Sequence, residues 1–231
     1  MVDKNEQYPG KGLFSWSEFL KVPVIGIARN IPLDAIIQIL PLYQSAGLTS
    51  IEVTMNSDGA EDIIRYASIR YKDHLNIGAG TVCSLEDLDR ALISGAQFIV
   101  TPVIEEDVIR RCKNIGIPVF PGAFTPSEIY KAWKSGADMV KIFPASTLSP
   151  QYIKELKGPL NQIKLMPTGG ISLSNASAWL HAGANALGMG SELMNKKLIR
   201  DKNWKALLAH FEQVVKSVKE YTGSLVQAGN N

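Results

Sequence analysis

The stretches SAGLTSIEVT (45–54), SGAQFIVTP (94–102), SGADMVKIFP (135–144) and AGANALGMG (182–190) share one arrangement. In each, a glycine stands just ahead of a short apolar run. A stretch with helical spacing precedes it, as with Leu85, Leu88, Ala91 and Leu92 before the second. A glycine there suits the left-handed residue that follows a helix end, where a side chain would clash. The run after it is apolar almost throughout, as a parallel strand buried on both faces requires. A weak internal repeat of helix, glycine and strand therefore runs along the chain.

Four more apolar runs lie between these: VPVIGIA (22–28), LNIGAG (75–80), IPVFPG (117–122) and IKLMPTGG (163–170). Eight strands alternating with helices every 20 or so residues predict a (βα)8 TIM barrel rather than an open doubly wound sheet. The expectation is an α/β fold in one domain spanning 1–231. Ser15–Lys21 reads as an opening helix and Lys202–Tyr221 as a long terminal one, and residues 1–14 are expected to form a flexible N-terminus.

With 231 residues and 45% hydrophobic content, the chain can bury a substantial core and does not read as disordered. Its 24 basic and 22 acidic side chains leave a formal charge of +2, which argues against a nucleic-acid or membrane-surface partner. No run approaches the roughly 18–20 apolar residues of a membrane span, and Met1 to Gly12 lacks the apolar core of a secretory signal. A cytoplasmic location follows as the expectation. Cys83 and Cys112 lack metal-ligand spacing and read as buried free thiols.

In such barrels the chemistry lies where strands run out into the loops that lead to helices. Those ends carry Arg29, Glu52 with Thr54 and Asn56, Gly80-Thr81, Thr101-Pro102, Pro121-Gly122, Lys141 with Phe143, Thr168-Gly169-Gly170 and Gly190-Ser191. Lys141, between Val140 and Ile142, is a lysine inside an apolar strand. Burial lowers such an amine's pKa and frees it as a nucleophile toward a carbonyl; a structural ion pair is the other reading. Glu52 can pair with Lys141, shuttle protons, or do both. Gly169-Gly170 and Gly190-Ser191 form two glycine turns on adjacent strands, where backbone N–H groups can hold a phosphate. His74, His181 and His210 show no ligand spacing, and no nucleotide-binding glycine motif follows the first strand, so neither a metal nor a cofactor is expected.

At these residues the chain resembles the bifunctional 2-keto-3-deoxy-6-phosphogluconate and 4-hydroxy-2-oxoglutarate aldolases, including their 6-phosphogalactonate-cleaving relatives. The matching segments are PVIGIAR, IEVTMNS, IGAGTV, FIVTP, VKIFPA, PTGGIS and GMGSEL, in the family's order between about residues 22 and 194. The resemblance implies a class I aldolase on a (βα)8 fold, commonly a homotrimer. Its partners would be a phosphorylated keto sugar acid and pyruvate. By position, Lys141 matches the Schiff-base lysine and Glu52 the proton-shuttling glutamate. Thr81 matches a residue near the pyruvate-derived carboxylate, Phe143 a pocket wall, and Gly169, Gly170, Gly190 and Ser191 the phosphate loops. Arg29, Pro102 and Asn56 complete the expected substrate-binding set.

One departure matters. Phosphogluconate-type members often carry an arginine four residues after the glutamate, where this chain has Asn56. Asparagine cannot make arginine's charged bidentate contact, so the substrate carboxylate falls to Arg29, Thr81 or backbone N–H groups. IEVTMNS leans toward the phosphogalactonate branch and PTGGIS toward the other, which leaves the C4 epimer open. The implied reaction is cleavage of a 2-keto-3-deoxy-6-phospho sugar acid to pyruvate and glyceraldehyde 3-phosphate. Cleavage of 4-hydroxy-2-oxoglutarate to pyruvate and glyoxylate is a second activity the resemblance allows. A phosphate-binding barrel isomerase or epimerase is the rival class, but it would need metal-binding histidines or paired carboxylates at the strand ends.

Overall fold

The computed structural model describes residues 8–228, with side chains described as far as Tyr221. After α1 (Trp16–Lys21), strands and helices alternate: β1 (Val24–Ala28), α2 (Leu33–Ser45), β2 (Ser50–Thr54), α3 (Ala60–Tyr71), β3 (Asn76–Gly80), α4 (Leu85–Ile93) and β4 (Phe98–Val100). There follow α5 (Glu106–Ile115), β5 (Val119–Phe120), β6 (Gly122–Ala123), α6 (Pro126–Lys134), β7 (Val140–Ile142), α7 (Pro150–Lys157), β8 (Leu165–Pro167), α8 (Ala176–His181) and β9 (Leu187–Met189). Helices α9 (Lys196–Arg200) and α10 (Trp204–Ala228) close the order. Gly47, Gly95, Gly136 and Gly183, the glycines of the repeat, have φ of 89°, 101°, 107° and 104°. Each follows a helix end in the left-handed region, as the repeat requires.

All pairings between named strands are parallel. The ladders are not continuous around a ring: the α/β fold with parallel sheets is as expected, while full closure is not seen in the strand pairing. They form an open six-stranded sheet, β5-β4-β3-β2-β1-β9, and a three-stranded one, β6-β7-β8. Pro121 divides the fifth predicted strand into β5 and β6, because it has no N–H to give the ladder. Its carbonyl still accepts from the Lys141 N–H at 2.9 Å. On the other side, a lone bridge between Thr168 and Gly188 spans the gap from β8 to β9.

Alternate residues of the strands turn to the space the sheets enclose. Its lower part is filled by Ile25, Phe98, Val100, Phe120, Met139, Met166 and Ala186, with Phe19 of α1 beneath them. Phe14 meets Phe98 and Phe120 edge-on at 5.4 and 6.1 Å, and Trp16 meets Phe120 at 6.0 Å. Asn76, at the start of β3, holds this segment by accepting from the Ser15 N–H at 2.7 Å and donating to the Ser15 carbonyl at 3.1 Å. Helix α1 and the residues ahead of it thus cap the end where the strands begin.

Of the stretch 1–14 expected to be flexible, residues 1–7 lie outside those described. Tyr8 is buried, donates to Asp89 at 3.2 Å and accepts from Arg111 at 2.8 Å. The cysteines also divide: Cys112 is buried, but Cys83 is exposed. No helix among the described residues is long and apolar enough to cross a membrane.

Candidate active site

Lys141 and Glu52 lie opposite the cap, above the aromatic layer. The register aligns Glu52 with Ile27 on β1 and Gly78 on β3, and aligns Lys141 with Gly122 and Met166. The pleat that sends Ser50 and Thr54 inward from β2 also sends Glu52 inward. Both ionisable side chains are almost wholly buried, at 1% exposure for Glu52 and 3% for Lys141.

Burial raises the Glu52 pKa above the ordinary carboxylate range, against the pull of the Lys141 and Arg29 charges. Burial likewise lowers the Lys141 pKa; Arg29 adds to the lowering and Glu52 opposes it. The two shifts bring a proton acceptor and an amine toward a shared range, where each can change protonation state during a reaction. Glu52 Oε1 is buried without a hydrogen-bond partner, an expensive condition for a structural carboxylate. Lys141 Nζ lies 5.0 Å from the centroid of the Phe143 ring, so Phe143 flanks the amine.

A cleft of about 860 Å³ opens over the lysine. Arg29, Lys141, Phe143, Gly169, Gly170, Gly190 and Ser191 from the sequence reading all line it. Arg29 donates through Nη2 to Thr81 Oγ1 at 3.4 Å, which brings Thr81 to the same mouth. Gly169 and Gly170 have φ of 95° and 72°. Among the described residues the N–H groups of Gly170 and Ser191 meet no acceptor, while the Gly169 N–H faces the Gly188 carbonyl across the Thr168–Gly188 bridge. Two turns with unclaimed donors thus face one cleft, as an anion-binding nest would. The hydroxyl of Thr168, at the head of the first turn, points back to the Met166 carbonyl at 3.3 Å.

Glu52 and Thr81 lie outside the lining of this cleft, although the Glu52 charge acts on Lys141 and Thr81 accepts from Arg29, and Asn56 and Pro102 stand further apart. Asn56 is exposed and does not line the cleft. Pro102 is half-buried and also outside the lining; its carbonyl occupies the place a side chain on Gly122 would take. Its role is to fit β6 closely against the β4 loop. Sequence reading missed the far wall, which comes from Asp34 and Gln38 of α2 and from Lys196, Arg200 and Trp204 of α9 and α10. Their distance from the strand ends left no signal beyond the cationic character of 196–202. No three histidine, cysteine, aspartate or glutamate side chains converge as metal ligands among the described residues.

A family described as KDPG and KHG aldolase matches residues 17–210. The 2-dehydro-3-deoxy-6-phosphogalactonate aldolase of Escherichia coli (strain K12) is 39% identical over 174 residues, covering 75% of this chain and 85% of that one. The 2-dehydro-3-deoxy-phosphogluconate aldolase of Haemophilus influenzae is 36% identical over 203 residues, covering 86% and 95%. A solved structure described as native KDPGal superposes with a TM-score of 0.82 at 35% identity, covering 88% of this chain and 97% of its own.

Proposed function

The chain belongs to the KDPG and KHG aldolase family, a family of carbon–carbon lyases, and from that premise we propose a Schiff-base cleavage of a 2-keto-3-deoxy-6-phospho sugar acid to pyruvate and glyceraldehyde 3-phosphate. Family membership sets aside the isomerase or epimerase reading. The observation that carries the proposal is the buried Lys141 whose amine is pushed toward neutrality, with an unpartnered Glu52 oxygen in the same chamber.

In this reading neutral Lys141 Nζ attacks the C2 ketone. Loss of water gives a protonated imine that draws electrons from C3. Glu52, through a water, takes the C4 hydroxyl proton; the C3–C4 bond then breaks, and its pair enters the enamine as the aldehyde forms. Protonation at C3 and hydrolysis return the amine and release pyruvate. Glu52 supplies and recovers protons in the carbinolamine steps, which its raised pKa allows. Arg29 and Thr81 bind the carboxylate, and the turns Gly169-Gly170 and Gly190-Ser191 receive the phosphate through their unclaimed N–H groups. Phe143 walls the pocket beside the imine. Without a phosphate to seat, 4-hydroxy-2-oxoglutarate can react at the same lysine, yielding pyruvate and glyoxylate.

A second reading makes the phosphogalactonate-derived epimer the main substrate; Asn56 in place of arginine favours it, as does the 39% identical relative. We further infer that the two sheets act as one (βα)8 barrel in a single domain. Support comes from the chain continuity of β5 and β6 through Pro121 and from the Thr168–Gly188 bridge. A cytoplasmic homotrimer completes the proposal, with exposed Phe124, Tyr130 and Trp133 on and beside α6 as apolar surface for association.

Borohydride reduction in the presence of pyruvate tests the chemistry: an adduct on the peptide bearing Lys141 is expected, and its absence overturns the Schiff-base assignment. Pyruvate release from both C4 epimers, measured side by side, decides the substrate. Solution mass decides the oligomer.

A further inference from the structure

The turn after β2 treats two neighbouring residues differently. Asn56 faces solvent, while Ser57 turns inward and is only 7% exposed. Ser57 Oγ accepts from the backbone N–H of Asn30 at 2.9 Å. It also lies 2.7 Å from Oγ1 of Thr54, a fully buried residue of β2, and the Ser57 N–H donates to the Thr54 carbonyl at 2.9 Å. The serine hydroxyl is therefore fixed from one side and holds a backbone group of the β1 loop on the other.

Asn30, the residue it holds, has φ of 53°. Asparagine enters the left-handed region more readily than other side chains, so a contact that constrains it there decides its conformation. The Ser57 hydrogen bond is such a constraint. Arg29, immediately before, is the cation whose guanidinium reaches across to Thr81, itself at φ of 56°. Two residues with positive φ, one on each loop, thus bracket the arginine at the mouth.

We propose that Ser57 is a positioning residue: by holding Asn30 in its left-handed conformation it aims Arg29 at the substrate carboxylate. This rests on the reading of Arg29 as the carboxylate site. It makes the NS pair after the strand do its work through the serine, with the cation supplied from a different strand.

The test compares steady-state constants of Ser57→Ala, Ser57→Thr and Arg29→Ala, with thermal melting as a check on the fold. Ser57→Ala is expected to raise KM for the keto acid about tenfold, the effect of one lost hydrogen bond, while kcat changes less than about twofold. Ser57→Thr keeps the hydroxyl and is expected to recover most of the affinity. In the Arg29→Ala background, Ser57→Ala should add nothing, because the group it positions is gone. An unchanged KM in Ser57→Ala, a threonine variant as poor as alanine, or a full tenfold loss persisting without Arg29 would each overturn the proposal. If Arg29→Ala itself leaves KM unchanged, the carboxylate reading fails and takes the positioning role with it, an outcome visible on its own. Should Ser57→Ala not fold, Ser57→Cys preserves the size with a weak acceptor, and a rise in KM of about fivefold is then expected.

Discussion

A side chain on Gly80 would run into the Glu52 carboxyl, with its first carbon 2.6 Å from Glu52 Cδ. Gly80 and Thr54 are paired across β3 and β2, so the glutamate's head lies over the bare backbone of the neighbouring strand. The glycine in IGAGTV is therefore the space in which the carboxylate sits. Gly80→Ala must displace either the strand or the carboxyl group. Displacement of about 1 Å can cost a hundredfold in rate, so kcat is expected to fall by about that factor. Crowding should also cost about 1–3 kcal/mol in stability, read by denaturant titration. A kcat within twofold of the parent would show that Glu52 does not need this place.

Lys141→Arg keeps a positive charge and removes the nucleophile, since guanidinium stays protonated. Pyruvate release is expected to fall by at least about a thousandfold, the covalent route being lost outright. Retention of a tenth of the activity would rule out imine chemistry at this residue.

Glu52→Gln tests the coupling of the buried pair. The carboxylate holds the Lys141 pKa up against burial and the Arg29 charge, so removing its charge must let that pKa fall further. The acid limb of the borohydride-trapping rate with pyruvate should move to lower pH, even as the plateau drops for want of a proton shuttle. A limb that stays put or moves upward means that the two groups do not sense each other.

Gly190→Asp separates phosphate binding from chemistry. Gly190 has open space around its Cα, so a side chain there threatens the fold little. Its carboxylate would repel a phosphate and obstruct the backbone donors. We expect kcat/KM for the phosphorylated keto acid to fall by about a hundredfold or more, with cleavage of 4-hydroxy-2-oxoglutarate changed by less than about threefold. Equal losses would move the phosphate elsewhere.

The strands and the lysine–glutamate pair were legible because burial on both faces leaves a plain mark. A charge at position 141 or 52 interrupts runs that are otherwise apolar, and the repeat glycines announce the helix ends. The splitting of the fifth strand follows from Pro121, whose missing N–H interrupts the ladder between β5 and β6. What lay beyond reach came after the strand ends, where alternation no longer says which side a residue faces. Asn56 and Ser57 differ in direction because the turn is tied to Asn30, a contact 27 positions away in sequence. Cys83, also past a strand end, is exposed while its neighbour Val82 is buried. The cleft wall from α9 and α10 depends on how the last helices fold back, which no local pattern encodes.

The aromatic cap beneath the strands has a kinetic consequence. Phe14, Trp16, Phe19, Phe98 and Phe120 stop one end of the chamber, so everything must enter and leave by the other. On the proposed mechanism the three-carbon fragment is still joined to Lys141 when the C3–C4 bond has broken, whereas the aldehyde is held by no covalent bond. If that mechanism holds, departure is a queue: the aldehyde goes first and the three-carbon acid last, and in the reverse direction pyruvate must be joined to the lysine before an aldehyde can react.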